Sequence, residues 1–292
     1  MNAELAGGQT VRPDALQTPE RPLAGKTVVI TGTSRGVGAS TAIEFAWQGA
    51  DILGTHKNPG LKRRGMQTAV FDRCREVYPK GHFKVVIGDI TDPMHQQNLA
   101  DAAVNLVLGQ SRKVYAVILN AAGGLERDRD EGYAREINVV ANMALVDNLT
   151  PYMNPGGIFI YIQSLWGHLF EDEIYQEERY GPIADSKHEA EMELLKRQDE
   201  LSMKGIRVGI VVGDVIKDTD MYKLLERIDK ERLEREERLV PGGKYPTTAD
   251  MARRIVAMSM RIGQTGNIEY VGRTREQYLE QFRAGLIPRS AR

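Results

Sequence analysis

Apolar residues in this chain gather in short runs, separated by longer stretches where they recur at helical spacing. Thr27 is followed by Val28, Val29 and Ile30, β-branched side chains that predict a short buried strand. A glycine-rich turn at Gly32, Gly36 and Gly38 comes next. Ala42, Ile43, Ala46 and Trp47 then repeat at the spacing of a helix. Further strands are expected at residues 49–56, 83–87, 114–119, 158–162, 206–212 and 266–272. Helical patterns lie between and after them, at 67–78, 93–108, 133–149, 184–203, 247–260 and 275–282. Pro151 marks the end of one helix, and Pro155-Gly156-Gly157 reads as a turn. Thr247 or Thr248 is placed to cap the helix that follows. The acids between 165 and 180 suggest an exposed loop. The segment 219–239 is charged, with Leu224, Leu225, Ile228 and Leu233 as its apolar residues, too few heptads for a coiled coil.

Strands alternating with helices imply an α/β fold, a Rossmann-like doubly wound parallel sheet of about seven strands with helices on both faces. Ligands of such sheets bind beyond the carboxyl ends of the strands, where the unusual residues of this chain fall. The 292 residues suffice for one large α/β domain, here expected over 24–292 after a loose, proline-containing arm at 1–23. A net charge of −1 implies no strong affinity for nucleic acid. No apolar run reaches the length of a membrane span, and the acid-bearing N-terminus is not a secretory signal. The single cysteine, Cys74, excludes an internal disulfide and fits a cytoplasmic setting. No histidine–cysteine cluster has metal-ligand spacing, and His168 and His188 read as surface histidines.

Strand, glycine turn and helix together form a cradle for a dinucleotide. Glycine lets the backbone approach a pyrophosphate closely, and the helix N-terminus offers free N–H groups to the phosphates. Gly32, Ser34, Arg35, Gly36, Val37 and Gly38 are therefore candidate cofactor residues. An acid after the second strand would select NAD by accepting from the ribose 2′-hydroxyl. The strand ends instead in His56 and Lys57. With Arg35 in the loop, these residues favour NADP(H), whose 2′-phosphate needs charge-assisted donors. Lys62, Arg63 and Arg64 read as a solvated basic loop.

In these residues the chain resembles the short-chain dehydrogenase/reductase family over about residues 24–272. TGTSRGVG carries the family pattern at Thr31, Gly32, Gly36 and Gly38. Asp89 and Ile90 are similar to the pair that brackets the adenine. Asn120-Ala121-Ala122-Gly123 resembles the turn beside the cofactor, and Gly213 follows the sixth strand, with Val212 where a proline is usual. The resemblance implies active-site roles for Asn138 and Ser164, and for Lys187 a hold on the nicotinamide ribose. One position departs: the family tyrosine, four residues before the lysine, is Ile183 here. Tyr180 is three residues out of register, a displacement of roughly 4–5 Å along a helix. Water or a substrate hydroxyl is favoured over it as proton donor. The resemblance thus implies an atypical NADPH-dependent ketone reductase acting on a small-molecule carbonyl. By analogy it is similar to reductases that tailor angucyclinone-type antibiotics. Two other readings are an NADP-binding sensor without turnover and a non-redox lyase or isomerase. The family often pairs through helices equivalent to 133–149 and 184–203, so a homo-oligomer is possible. The segment 218–239 is expected to cover the substrate as a lid.

Overall fold

The computed structural model describes residues 21–57, 60–108, 113–124, 132–172 and 180–287. Seven parallel strands form one sheet: β1 (Thr27–Thr31), β2 (Asp51–His56), β3 (Phe83–Ile87), β4 (Val114–Leu119), β5 (Met153–Ser164), β6 (Arg207–Gly213) and β7 (Asn267–Val271). Their order across the sheet is β3-β2-β1-β4-β5-β6-β7. The chain runs outward from β1 to β3, then returns to lay β4 on the other side of β1. That reversal opens a crevice above the carboxyl ends of β1 and β4.

Strand side chains alternate between two cores. Val29, Leu53, Val117, Phe159 and Val208 face helices Pro93–Leu108, residues 133–149 and Gly181–Lys196. Val28, Ile30, Ile52, Ala116, Ile160 and Val211 face helices Gly36–Trp47, Leu61–Val77 and Thr248–Met260. Both faces of the sheet are covered, which is why these strands read as unbroken apolar runs. The fold takes in the chain from Arg21, and Leu23 is buried with its N–H on the Gln48 carbonyl.

Several boundaries differ from the sequence expectation, each for a local reason. β5 starts at Met153, because the register against β4 slips between Val114 and Ala116 and absorbs Pro155-Gly156-Gly157 as an irregularity inside the strand. The second helix starts at Leu61, so the backbone of Lys62, Arg63 and Arg64 is helical. The basic run and Gly65 hid the apolar repeat there. Residues 184–203 form two helices, Gly181–Lys196 and Gln198–Met203. The loop expected after β5 contains a short helix, Leu165–His168, and a 3₁₀ turn, Phe170–Asp172; residues 173–179 lie outside the described residues. The charged segment is a helix pair, Asp220–Ile228 and Lys230–Glu237, divided at Asp229, whose carboxylate caps the second helix. Thr247 is the cap of the next helix, in a reciprocal pair with Asp250. No helix among the described residues is long and apolar enough to cross a membrane.

Candidate active site

The glycine turn is built for close approach. Gly32 holds φ +76°, a left-handed conformation that suits glycine. A Cβ on Gly38 would lie 2.6 Å from Asn120 Nδ2 and nearer still to the Gly32 carbonyl. The turn is tied to the end of β4. Asn120 Nδ2 donates to the Thr31 carbonyl at 2.8 Å, and Thr31 Oγ1 accepts from the N–H groups of Asn120 and Ala121. Arg35 stands immediately before helix Gly36–Trp47, and its guanidinium pairs with Asp220 across the crevice mouth.

At the carboxyl ends of β2 and β3, Lys57 Nζ reaches Asp89 Oδ2 at 2.8 Å and Tyr133 Oη at 2.7 Å. Burial works to lower the Lys57 pKa, but the bonds to Asp89 and Tyr133 raise it overall. Burial works to raise the Asp89 pKa, and the bonds from Lys57 and Thr91 lower it overall. Lys57 is thus a held cation rather than a mobile one. His56 and Ile90 are buried, and the Ile90 carbonyl accepts from Gln96.

Above the ends of β5 and β6 the remaining sequence candidates converge. Ser164 caps helix Leu165–His168, with Oγ accepting from Gly167 N at 3.1 Å. The Tyr180 hydroxyl donates to the same Oγ at 2.8 Å. The register argument assumed that position 180 lies on the helix carrying Lys187. The helix begins at Gly181, with Pro182 in its first turn, so residue 180 precedes it and its ring turns inward against Trp166, edge to face at 5.3 Å. Burial pushes the Tyr180 pKa up, and the Ser164 bond pulls it part of the way back. Lys187 Nζ donates to the Ile162 carbonyl at 2.8 Å and sits 5.1 Å from the centre of the Tyr161 ring. Burial lowers its pKa to about 8, opposed by the charge of Glu191.

Asn138 does not open onto the crevice. It is fully buried in a π-helical turn, Glu136–Val140, with Nδ2 donating to Ser186 Oγ at 2.9 Å and to the Gly123 carbonyl at 3.1 Å. It ties the turn after β4 to the helix that carries Lys187.

A cavity of about 540 Å³ joins these parts. Arg35, Val37, Asn120, Ala122, Gly123, Ser164, Tyr180, Lys187 and Gly213 line it; Gly32, Ser34, Gly36, Gly38, His56, Lys57, Asp89, Ile90, Ala121 and Asn138 do not. Ile183, Trp166, Ile216, Met221, Leu225 and Met251 make much of its wall apolar. Three features escaped the sequence reading. Asp214 forms a fully buried pair with Arg273, each directly after a glycine at a strand end, the signal that could have marked them. Gln163 donates to the Lys187 carbonyl and to Glu191. His168 and His188 are half-buried rather than free on the surface. His168 lies between Glu191 and Tyr270, and His188 pairs with Glu171 while stacking on Phe170.

A family model described as short chain dehydrogenase matches residues 26–229. A chloroplastic NADPH-dependent aldehyde reductase-like protein of Arabidopsis thaliana is 29% identical over 38% of this chain, and the match spans only 41% of that protein. Cyclohexanol dehydrogenase of a Rhodococcus species is 24% identical over 83% of this chain and 92% of its own length. Among solved structures, the reductase LugOII, described as catalysing keto-reduction at C1 during lugdunomycin biosynthesis, superposes with a TM-score of 0.70. It is 18% identical, with 86% of this chain and 97% of that chain covered, a likeness of fold.

Proposed function

Because the chain belongs to the short chain dehydrogenase family, we propose that it is an NADP(H)-dependent oxidoreductase that reduces a bulky apolar ketone of the polyketide type. The observation that carries this reading is the Tyr180 hydroxyl, 2.8 Å from Ser164 Oγ in the cavity that also holds Lys187. The residues present fit the dinucleotide. Gly38 leaves room only for backbone, the N-terminus of helix Gly36–Trp47 would face the phosphates, and no acid directly follows β2. Arg35 and Lys57 would meet the 2′-phosphate, and Lys187 the nicotinamide ribose. Bound NADPH would supply the hydride.

The chain's own residues handle the oxygen. Ser164 Oγ accepts from Tyr180 and from Gly167 N, which leaves its own proton for the substrate carbonyl as negative charge develops there. As the alkoxide forms it takes the Ser164 proton, and Ser164 takes the Tyr180 proton. The Lys187 charge in the same cavity offsets the phenolate. The burial that raises the Tyr180 pKa keeps its proton in place until the alkoxide forms. Trp166, Ile183 and Leu225 exclude water from the reacting carbon. Consumption of NADPH with a panel of bulky apolar ketones tests this. Tight NADPH binding with no turnover on any of them would favour the sensor reading, which draws on Ile183 and on the saturated amide of Asn138.

The choice of cofactor has its own test. Arg35→Ala is expected to weaken NADPH binding by about tenfold and to leave NADH binding unchanged. One charge-assisted hydrogen bond is worth about 1.5–3 kcal/mol, and the guanidinium is half-exposed. Titration of both cofactors by fluorescence checks it; equal losses for both would remove Arg35 from 2′-phosphate recognition.

The lid, too, is a proposal, and the structure supports a shorter one than 218–239. Helix Asp220–Ile228 presents Met221, Leu224 and Leu225 to the cavity and is pinned at its start by Arg35. Helix Lys230–Glu237 is anchored, with Leu233 buried and Glu236 beside Arg273. Hydrogen exchange should therefore slow in 220–228 on saturation with NADPH and substrate, while 230–237 stays unchanged. Equal response of both helices would argue for a single moving unit.

A further inference from the structure

Behind Lys187 lies a buried polar chain for which the steps above have no use. Glu191 follows Lys187 by one helical turn, on the same face. Its carboxylate is buried and accepts from Gln163 Nε2 at 2.8 Å and from His168 Nδ1 at 2.9 Å. The other ring nitrogen of His168 lies 2.8 Å from the Tyr270 hydroxyl on β7. Gln163 is the hub. The same Nε2 donates to the Lys187 carbonyl, and its Oε1 accepts the N–H of Ser164. A buried carboxylate is costly unless something needs its charge, even where, as here, Gln163 and His168 satisfy its oxygens. The adjacent group that needs it is the Lys187 ammonium, which is buried, with the Ile162 carbonyl as its hydrogen-bond acceptor.

We propose that Glu191, clamped by Gln163 and His168, is a positioning residue that holds Lys187 in its charged form for contact with the cofactor ribose. The inference rests on the NADP(H) reading above only for the ribose contact; the charge coupling stands on the protein alone. The titratable groups around Lys187 and Glu191 are Tyr161 on β5, Tyr180 before the helix, His168 after β5, Tyr270 on β7 and, across the cavity, Asp214 at the end of β6. Tyr161 and Tyr180 are driven toward their neutral forms by burial, and Asp214 is engaged by Arg273. Among the described residues, Glu191 is therefore the carboxylate left to support the ammonium. Burial pushes the Lys187 pKa down and the Glu191 charge opposes that, so losing the charge moves the midpoint further down.

The test is the titration of Lys187 in the cofactor-free protein, followed by NMR of ¹³C-labelled lysine, with Lys187→Arg to assign the signal. Glu191→Gln keeps the shape but removes the charge and one acceptor oxygen, and should lower the midpoint by about one unit. Glu191→Asp should restore most of it. An unchanged midpoint in Glu191→Gln, or a fall of the same size in Glu191→Asp, overturns the proposal and leaves Glu191 a packing residue. If Glu191→Gln cannot be purified, the wild-type protein decides. The His168 ring resonances, on the same carboxylate, should move as Lys187 titrates, and a flat response overturns the coupling. NADPH fluorescence across the same pH range separates the two readings. Wild-type protein that shows the Lys187 coupling but binds no NADPH refutes the cofactor assignment and not the role of Glu191. Where NADPH does bind, its affinity should fall at a lower pH in Glu191→Gln than in wild type.

Discussion

Tyr180→Phe is expected to lower kcat by about 10²–10⁴-fold, the usual worth of a positioned general acid, with NADPH affinity unchanged. The expectation rests on a contact and an environment. The hydroxyl donates to Ser164 Oγ at 2.8 Å, and burial raises its pKa, so the proton is present at neutral pH and is aimed at the group that meets the substrate oxygen. The phenyl ring of the variant keeps the edge-to-face packing on Trp166, so the pocket keeps its shape and the loss reports the proton. Steady-state kinetics on any ketone found to be turned over will check it. A loss below a few-fold would return the donor to water or to the substrate. Ile183→Tyr is a companion variant. Position 183 lines the cavity, but Ser164 already accepts from Tyr180, so no gain in rate is expected from restoring the family residue there.

Asp214→Ala is expected to cost about 3–5 kcal/mol of folding stability, the penalty for breaking a buried ion pair by removing one partner. The Arg273 side chain is 0% exposed. Its Nε and Nη2 donate to the two oxygens of Asp214 at 2.7 and 2.9 Å, and its N–H adds a third bond at 3.1 Å. Burial works against the arginine's charge, and the Asp214 bonds more than offset it. Glu236 is a second carboxylate 3.6 Å away, and among the described residues Nη1 has no hydrogen-bond partner. Removing Asp214 takes away the bidentate partner and leaves a charge in the core with the Glu236 contact at 3.6 Å and the faces of Tyr278 and Tyr245. Denaturant unfolding gives the number. The double variant Asp214→Leu/Arg273→Met should recover most of the loss, because it removes the charge instead of stranding it. A double variant as unstable as Asp214→Ala would show that shape, rather than charge, sets the cost.

Read without the structure, the chain already yields the sheet. Val28–Ile30, 114–119 and 206–212 are apolar whichever face they turn to, and a strand buried on both sides demands that. The glycine turn is legible for the same kind of reason: Gly32 and Gly38 answer to backbone geometry and to atoms close by in the chain or at the next strand end. The order of the motifs, from TGTSRGVG to Lys187, carries the family. Regular local patterns also misled. Lys62–Arg64 hid a helix, Pro155-Gly156-Gly157 hid a strand, and the three-residue offset of Tyr180 suggested a hydroxyl out of reach.

What only the tertiary structure decided is which polar groups meet. Tyr180 and Ser164 are 16 residues apart, His168 and Tyr270 are 102 apart, and Asp214 and Arg273 are 59 apart. Backbone propensity and hydrophobic period act over a turn or a strand, so they are written into neighbouring residues. A buried hydrogen bond or ion pair depends on where two distant strand ends come to lie, and on the exclusion of water around them, which the local sequence does not encode. The glycine turn is therefore legible in the chain, while the Tyr180–Ser164 contact, the Gln163–Glu191 contact behind Lys187 and the placing of Glu236 beside Arg273 follow from the packed fold.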